Sequence, residues 1–302
     1  RNTPNAWYAE LTKTDNYTSH ITTPLSCGVS YYYDSTLYDI SKTYFDPSLK
    51  LQLNNNRQVS VIRDAGYYSR IELYNGNFNL INNNVYSVSP TDTSYNTKSI
   101  NNSGAFTGQF FPFNYNKRGG FLVAVNQKTI ITIPNSDYCS AELINDNNIV
   151  VGKVKYPDIE KIYFYNNSTI DTVSIPFQHD YINLIDINNN FILASYGNYS
   201  DNIDHYFKLY FNKSVQALDF SKEFHFYATN NLGQIAGVFT ATEKKCSKYP
   251  FIQYNIGFGL VLEPDNTYKL YGESNKNYTF LDINDNGDIL GRGNDLFLLK
   301  KR

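Results

Sequence analysis

The sequence predicts an all-β protein, a β-propeller of four-stranded antiparallel blades, and two observations favour this fold. A nine-residue pattern rich in Asn and Gly recurs six times at near-constant spacing along the 302 residues. Between its copies lie short segments rich in Tyr, Phe and β-branched residues, which favour strands, and no apolar pattern of helical period. Four strands in a repeat of about 45 residues are typical of one propeller blade, which buries its faces by stacking on its neighbours.

The repeated pattern reads I-N-[ND]-x-[GN]-x-[IVF]-x-G, and its copies start 47, 44, 43, 42 and 54 residues apart. This regularity exceeds what chance produces, even in a chain with 40 Asn residues. The copies are 53–61 (LNNNRQVSV), 100–108 (INNSGAFTG), 144–152 (INDNNIVVG), 187–195 (INNNFILAS), 229–237 (TNNLGQIAG) and 283–291 (INDNGDILG).

The pattern indicates a tight hairpin. An apolar residue ends one strand, and the Asn, Asp and Gly positions that follow tolerate a left-handed backbone and hydrogen-bond their own main chain. A closing Gly removes a side chain where the backbone passes closely or bulges. We therefore predict a structural role for the closing residues Gly108, Gly152, Gly237 and Gly291.

Two strands that follow the hairpin complete the predicted blade. An aromatic strand begins 12–21 residues after the start of each motif, at 68–74, 120–125, 162–165, 205–210, 250–254 and 295–299. A further strand follows at 129–134, 172–176, 214–220 and 267–271. Strands such as 139–144 and 183–187 then lead into the next motif.

Seven blades are favoured. The first 50 residues contain four strand-like segments, at 6–11, 21–26, 29–33 and 36–40, which would form a degenerate first unit. The alternative is six blades with an N-terminal extension. The last repeat ends at Arg302 just after its aromatic strand, so we expect an N-terminal strand to supply its fourth strand and close the ring.

The motif hairpin followed by an aromatic strand resembles the bacterial HAF-type extracellular repeat, which is named for a His-Ala-Phe run that leads an aromatic strand. The segment His205-Tyr206-Phe207 is the best match to that run, and the other repeats keep the aromatic residue without the His. The resemblance extends from residue 53 to the end of the chain. It implies a bacterial, exported, propeller-like protein and leaves its activity open.

The charge balance argues against nucleic acid as a partner. The chain has 26 Lys and Arg against 28 Asp and Glu, a net charge of −2, whereas nucleic-acid-binding domains are strongly basic. No apolar run approaches the ~20 residues that span a membrane, and we expect a monomer. Because the chain contains no Met, we expect Arg1 to be a processed or trimmed start, with removal of a signal peptide as one explanation.

The three cysteines, Cys27, Cys139 and Cys246, form no CxxC pair, so neither a zinc site nor a thioredoxin-type motif is supported. A monomer can form at most one disulfide from them and leaves one thiol over. We favour the interpretation that all three are small buried hydrophobic residues.

One segment is a candidate metal site. Oxygen-bearing residues at alternate positions open a calcium loop of the EF-hand type, and the last motif has them at Asp282, Asn284, Asn286 and Asp288. The twelfth position, where a bidentate Glu is needed, is Gly293. We therefore favour a turn without metal and expect no cofactor, with calcium as the open alternative.

No catalytic motif is present, so the catalytic and binding residues stay unassigned. The pairs His179-Asp180 and Asp204-His205 could build a metal or acid–base cluster, but no H-E-x-x-H or G-x-S-x-G motif surrounds them. A propeller glycosidase needs two facing carboxylates. The sequence does not pair its scattered acids, among them Asp34, Asp46, Asp137, Glu142, Asp180 and Glu223.

The leading hypothesis is an exported, non-catalytic β-propeller that binds a protein or glycan partner through one rim or the mouth of its channel. One alternative is a glycan-active hydrolase or lyase with its site at the channel mouth, and another is a multivalent lectin with one pocket per blade. Unequal loops predicted at 91–99, 198–204 and 241–248 favour one asymmetric site over several equal ones.

Overall fold

The computed structural model describes residues 8–11, 50–53, 59–64, 68–74, 80–87, 93–112, 119–124, 127–157, 159–200, 203–244, 253–272, 277–293 and 296–300. Within these ranges every regular element is a β-strand, and no helix is long and apolar enough to cross a membrane. In chain order the strands are β1 (Tyr8–Leu11), β2 (Lys50–Leu53), β3 (Val59–Asp64), β4 (Tyr68–Tyr74), β5 (Leu80–Ser87), β6 (Thr93–Ile100), β7 (Phe106–Pro112), β8 (Gly119–Ala124), β9 (Gln127–Ile131), β10 (Tyr138–Ile144), β11 (Val150–Lys155), β12 (Glu160–Asn166), β13 (Thr169–Val173), β14 (Tyr181–Ile187), β15 (Phe191–Gly197), β16 (His205–Tyr210), β17 (Val215–Leu218), β18 (Phe224–Thr229), β19 (Ile235–Lys244), β20 (Gln253–Leu262), β21 (Tyr268–Tyr271), β22 (Thr279–Ile283), β23 (Ile289–Arg292) and β24 (Leu296–Leu299).

The chain divides into two compact units. In the described part of the unit Phe45–Leu218, the strands form four sheets, β2–β5, β6–β9, β10–β13 and β14–β17. Each sheet is an antiparallel meander of four strands that follow one another in sequence. This arrangement confirms the predicted repeat of four short strands.

The second unit combines Arg1–Tyr44 with Asp219–Arg302. Its described strands form two sheets, β18–β21 with β1 added beside β21, and the three-stranded β22–β24. In the latter, β24 is the last strand in the order and has only β23 beside it among the described residues. The side chains of Phe297, Leu298 and Leu299 in β24 are nevertheless buried.

The Asn-rich motifs lie where the pattern predicts, at the turn between the first and second strand of each sheet. These turns join β2 to β3, β6 to β7, β10 to β11, β14 to β15, β18 to β19 and β22 to β23. The turn residues of the first motif, 54–58, lie outside the described residues. The aromatic segments are the third strands of the sheets, β4, β8, β12, β16, β20 and β24.

A β-bulge recurs in the first strand of five sheets, two residues before the motif. At each bulge the register with the second strand skips one residue, so the strand bends there. The skipped residues are Lys98, Glu142, Ile185, Tyr227 and Leu281. Because these five share no residue type, the sequence carries no signal for the bulge.

Within each unit the hydrophobic core lies between consecutive sheets. One cluster joins Val151 and Phe164 of sheet β10–β13 to Ile192 and Phe207 of sheet β14–β17. On the opposite face of sheet β10–β13, Tyr163 packs with residues of sheet β6–β9. A third cluster joins β18–β21 to β22–β24. A strand such as β12 is therefore buried on both faces, which explains its unbroken apolar run IYFY.

The N-terminal strand β1 pairs with β21, with Tyr8 opposite Tyr271, and not with β24. The other predicted N-terminal strands lie outside the described residues, so completion of the last sheet by one of them stays a prediction. Two predicted loops are corrected: residues 93–99 of the loop at 91–99 belong to β6, and residues 241–244 of the loop at 241–248 belong to β19. The rest of the degenerate first unit, apart from β1 and Lys50, lies outside the described residues, so the number of blades stays a prediction.

Candidate binding surface

The motif turns share one backbone geometry. The fifth motif residue has a positive φ in four of them: Gly104 (81°), Asn148 (59°), Gly233 (82°) and Gly287 (76°). Its N–H donates to the carbonyl of the second motif residue, and the second and sixth residues are joined by a further backbone hydrogen bond. This is a three-residue hairpin loop closed by a left-handed residue. Gly and Asn occupy that position because other side chains are strained there.

The second motif residue, Asn in all five described turns, caps its own turn. The Oδ1 atom of Asn101 accepts hydrogen bonds from the backbone N–H groups of Ser103 and Ala105, at 3.1 and 2.9 Å. These bonds satisfy polar groups that the hairpin leaves without a strand partner. The same capping is made by Asn145, Asn188, Asn230 and Asn284.

These capping side chains also bind the turn of the next sheet. The Nδ2 group of Asn101 donates to the carbonyl of Asn145 at 2.9 Å, and that of Asn145 donates to the carbonyl of Asn188 at 3.3 Å. In the other unit, Asn230 makes the same bond to the carbonyl of Asn284 at 2.9 Å. One residue type therefore both closes each hairpin and joins it to its neighbour.

A second set of contacts runs through the third motif residue. The backbone N–H and Nδ2 of Asn102 donate to the two carboxylate oxygens of Asp146, at 2.9 and 2.8 Å. Asn231 binds Asp285 in the same two-bond manner, at 2.7 and 2.9 Å. Hydrogen bonds to a charged acceptor are stronger than neutral ones. The end of each sheet that carries these turns is here called the motif end. Its Asn and Asp side chains hold neighbouring sheets together.

The turn at residues 187–195 is one residue shorter than the others. Asn188 N–H donates to the carbonyl of Phe191, and no residue of this turn has a positive φ. Ile187 consequently pairs with Ile192, and the position equivalent to the closing Gly is Ala194. The sequence alignment, which places Ser195 there, is wrong by one residue.

The closing glycines make room for atoms of the neighbouring strands. In the register of sheet β10–β13, Gly152 lies between Ala141 and Tyr163, and a Cβ on it would lie 2.7 Å from Cε1 of the Tyr163 ring and would overlap the carbonyl of Ser140. In three other sheets the closing Gly of the second strand likewise lies opposite a large residue of the third strand. These pairs are Gly108–Phe121, Gly237–Leu260 and Gly291–Phe297.

The candidate calcium residues lie at the motif end, in the turn between β22 and β23. Asn284 Oδ1 accepts from the N–H groups of Asn286 and Asp288, while its Nδ2 donates to Asp288 Oδ2 at 3.2 Å. Asp282 Oδ1 accepts from the N–H of Ile283 at 2.8 Å. The part of the chain that the structure describes has no group of three His, Cys, Asp or Glu side chains placed to hold a metal. The oxygens are engaged in turn contacts; a turn without metal stays the prediction, and calcium stays the alternative.

The opposite end of the sheets is here called the loop end, and in sheet β14–β17 it carries the candidate binding residues. There the loop at 198–204, described except for residues 201–202, places the Tyr199 side chain in solvent with 79% of its surface exposed. Its backbone N–H donates to Asp180 Oδ2 at 2.9 Å, and its ring lies 5.6 Å from that of Tyr181. The Tyr181 hydroxyl donates to Asp204 Oδ1 at 3.2 Å. We call these four residues, Asp180, Tyr181, Tyr199 and Asp204, the aromatic corner.

The two His–Asp pairs singled out in the sequence border this corner. His179 Nδ1 lies 2.7 Å from the carbonyl of Phe177, and the His205 ring stacks on Tyr196 at 5.2 Å. Asp180 and Asp204 instead bind Tyr199 and Tyr181. The structure therefore brings the two pairs to one end of one sheet and engages each His with a neighbour outside its own pair.

Of the remaining sequence candidates, Glu142 and Cys139 have scaffold roles, and four others lie outside the described residues. Glu142 accepts from Ser140 Oγ at 2.7 Å and faces Lys153 Nζ at 3.6 Å. Cys139 is a free, buried thiol whose pKa is raised by burial. Asp34, Asp46, Cys27 and Cys246 lie outside the described residues.

Tyr199 is a site residue that the sequence does not single out. Its signals were the predicted loop at 198–204 and the two His–Asp pairs at its borders, but these pairs are 25 residues apart in sequence. The meander places both connections at one end of the sheet, and only the structure shows that Tyr199 is held between them.

Comparisons with known proteins identify no family. No protein-family model matches the chain, and no curated protein matches it. Among solved structures, streptogramin B lyase is similar with a TM-score of 0.45 and 11% identity over 88% of this chain and 97% of the other. TolB from Acinetobacter baumannii is similar with a TM-score of 0.46 and 14% identity over 76% of this chain and 55% of the other. Both are β-propeller-like proteins.

A third structure, fructan 1-exohydrolase IIa from Cichorium intybus, gives a TM-score of 0.37 and 9% identity over 80% of this chain and 61% of the other. The chain thus spans little more than half of the TolB chain and under two thirds of the exohydrolase. Similarities at this level assign no activity.

Proposed function

We propose that the protein is an exported, non-catalytic β-propeller that binds a protein or glycan partner through the loop end of its sheets. The observation that carries this proposal is the aromatic corner. The Tyr199 ring is exposed while its backbone is fixed by Asp180 and its ring is set against Tyr181. An exposed Tyr held in place buries contact area in a complex at little cost in conformational entropy.

The loop end is the better candidate for binding because the polar side chains of the motif end already bind one another. The Asn and Asp side chains of the motif end are hydrogen-bonded within their turns and to the next sheet. In sheet β10–β13 the loop that corresponds to 198–204 has Tyr156 as its aromatic residue, and this side chain is half-buried, with Lys161 Nζ 5.8 Å from its ring centre. This difference favours one asymmetric site over a lectin with equal pockets.

The sheets described above are, in this proposal, blades of one propeller. Seven blades with a degenerate first unit in residues 1–50 are favoured, and six with an N-terminal extension are the alternative. Support comes from the six spaced motifs. Export from a bacterial cell and a monomeric state complete the proposal, the first resting on the resemblance to HAF-type repeats.

A binding screen with a parallel turnover assay tests this function. Labelled protein is applied to a glycan array, and its contacts with bacterial envelope proteins are captured by chemical cross-linking. The array glycans are assayed in parallel for the release of new reducing or unsaturated ends. We expect a retained partner, no turnover, and loss of retention in Tyr199→Ala but not in Leu232→Ala. Leu232 is the matched control because it is 56% exposed at the motif end.

Two results would contradict the proposal. Release of new reducing or unsaturated ends from any glycan would establish the hydrolase or lyase alternative. Cross-links that map to the motif end would place the binding surface at the wrong end of the sheets.

A further inference from the structure

We infer that the aromatic corner is a subsite for a neutral saccharide, an inference that rests on the proposed binding function and names its ligand. The corner offers one exposed aromatic face flanked by two exposed carboxylates, Asp180 and Asp204. A pyranose ring has the complementary chemistry, since one face presents C–H groups and its rim presents hydroxyl donors.

The aromatic part is a flat surface and not a cage. Tyr181 lies beside Tyr199 with its ring tilted by 37° at a centroid distance of 5.6 Å, so the two rings do not face each other across a gap. The corner therefore lacks the cage of several rings with which aromatic residues recognise quaternary ammonium ligands. A single exposed face suits a sugar ring better, because stacking needs only one side.

The carboxylates are positioned before any ligand arrives. Asp180 uses Oδ2 to accept from the Tyr199 N–H, and Asp204 uses Oδ1 to accept from the Tyr181 hydroxyl. Each carboxylate has a second oxygen, and within the described residues no hydrogen bond to either of these is found. Each can therefore accept a ligand hydroxyl in a charge-assisted hydrogen bond without a change in its protein contacts.

Gly197 fixes the position of the Tyr181 hydroxyl. A Cβ at this residue would overlap the Tyr181 hydroxyl, and the Gly197 carbonyl accepts from the N–H of Asp180. The absence of a side chain at position 197 thus lets Tyr181 lie along the strand and reach Asp204.

Charge selects among sugars. Two carboxylates beside the stacking face repel anionic sugars such as uronic acids, and the proposal therefore specifies neutral glycans. No salt bridge offsets these two negative charges, since within the described residues neither Asp180 nor Asp204 is paired with a Lys or Arg.

The test uses the full chain and saturation-transfer NMR with four neutral hexasaccharides (of glucose, xylose, mannose and N-acetylglucosamine), hexagalacturonate and an Arg-rich hexapeptide. We expect at least one neutral sugar to bind and hexagalacturonate not to bind. Tyr199→Ala should weaken binding about tenfold, the equivalent of ~1.4 kcal/mol. Tyr199→Phe should retain binding, Asp204→Asn should weaken it several-fold, and Leu232→Ala is the matched control, with folding checked by circular dichroism.

The outcomes separate this inference from the proposed function. If a neutral sugar binds wild type and Tyr199→Ala equally, the corner is the wrong site while binding itself survives. If only the Arg-rich peptide binds and Tyr199→Ala abolishes it, the saccharide assignment is wrong. If no neutral sugar binds, the ligand class is overturned, and if a sugar is cleaved, the non-catalytic function itself fails.

Discussion

The ring of Phe297 lies directly across the backbone of Gly291, its partner in the β23–β24 register, so closely that a Cβ on residue 291 would overlap the ring. The repeat thus couples two features that stand apart in sequence, a closing Gly in the second strand and a large residue in the third. The fully buried Tyr163 ring is accommodated by Gly152 in the same way.

Gly291→Ala should therefore destabilise the fold by about 2–3 kcal/mol, because the methyl group overpacks a site that already holds a ring. Urea denaturation measures the change. Gly104→Ala is the matched control: Gly104 has a φ of 81° and no atom near its Cβ position, so that variant pays only a backbone cost of ~1 kcal/mol. Equal losses in the two variants would contradict the packing argument.

The left-handed residue of the third motif turn should tolerate Gly and reject β-branched side chains. Asn148 has a φ of 59°, so Asn148→Gly should change the free energy of unfolding by less than about 0.5 kcal/mol, whereas Asn148→Val should cost ~1–2 kcal/mol. Thermal unfolding of the two variants distinguishes them. A Val variant as stable as the Gly variant would show that the turn adopts another geometry.

The two-bond contact between Asn231 and Asp285 should couple the sheets β18–β21 and β22–β24. A double-mutant cycle with Asn231→Ala and Asp285→Ala should give an interaction energy of about 1–2 kcal/mol, since the acceptor is charged and partly buried. The same cycle on Asn102 and Asp146, which are bonded at an exposed position, should give a smaller value. Strictly additive losses in the first cycle would contradict a direct contact.

Acidification should weaken the bridge between Asp171 and Lys213, whose Oδ2 and Nζ atoms lie 2.7 Å apart. The hydrogen bond from Lys213 holds the pKa of Asp171 below its ordinary value. Since the folded pKa is lowered, the contribution to stability is present above the unfolded pKa and is lost as pH falls through the folded one. NMR titration should show the Asp171 pKa rising in Lys213→Ala, with Lys155→Ala as control, and an unchanged pKa would mean that the bridge does not form in solution.

Calcium should leave the thermal stability unchanged if the last motif turn is purely structural. A site with a Kd of ~0.1 mM would add about 1.8 kcal/mol to the free energy of unfolding in 2 mM Ca²⁺. We expect no shift in the melting temperature between Ca²⁺ and EDTA, because Asn284 and Asp288 bind each other. A rise in Ca²⁺ that Asp282→Asn removes would establish the calcium alternative.

The hairpins could be predicted from sequence because their causes are local. Asn101 caps its own turn and Gly104 supplies the positive φ, so both signals sit within five residues. The bulge at Glu142 had no such signal, since any residue type can be the extra one in a strand. The misaligned Ser195 has the same origin, because a turn shortened by one residue changes the register without changing the composition.

The long-range features could not be predicted. The pairing of β1 with β21 joins residues that are some 260 positions apart, and nothing in the segment YAEL specifies one edge strand over another. The aromatic corner depends on two loops meeting at one end of sheet β14–β17. Its recognition needed the exposure of Tyr199, which a sequence does not show.

The strand Leu296–Leu299 has a consequence for handling the protein. It is apolar throughout and, within the described residues, its outer backbone groups face no strand. Such an edge is a template for pairing with another molecule. Where that edge stays open, chains can add to one another through it, and light scattering over a series of protein concentrations will show whether they do.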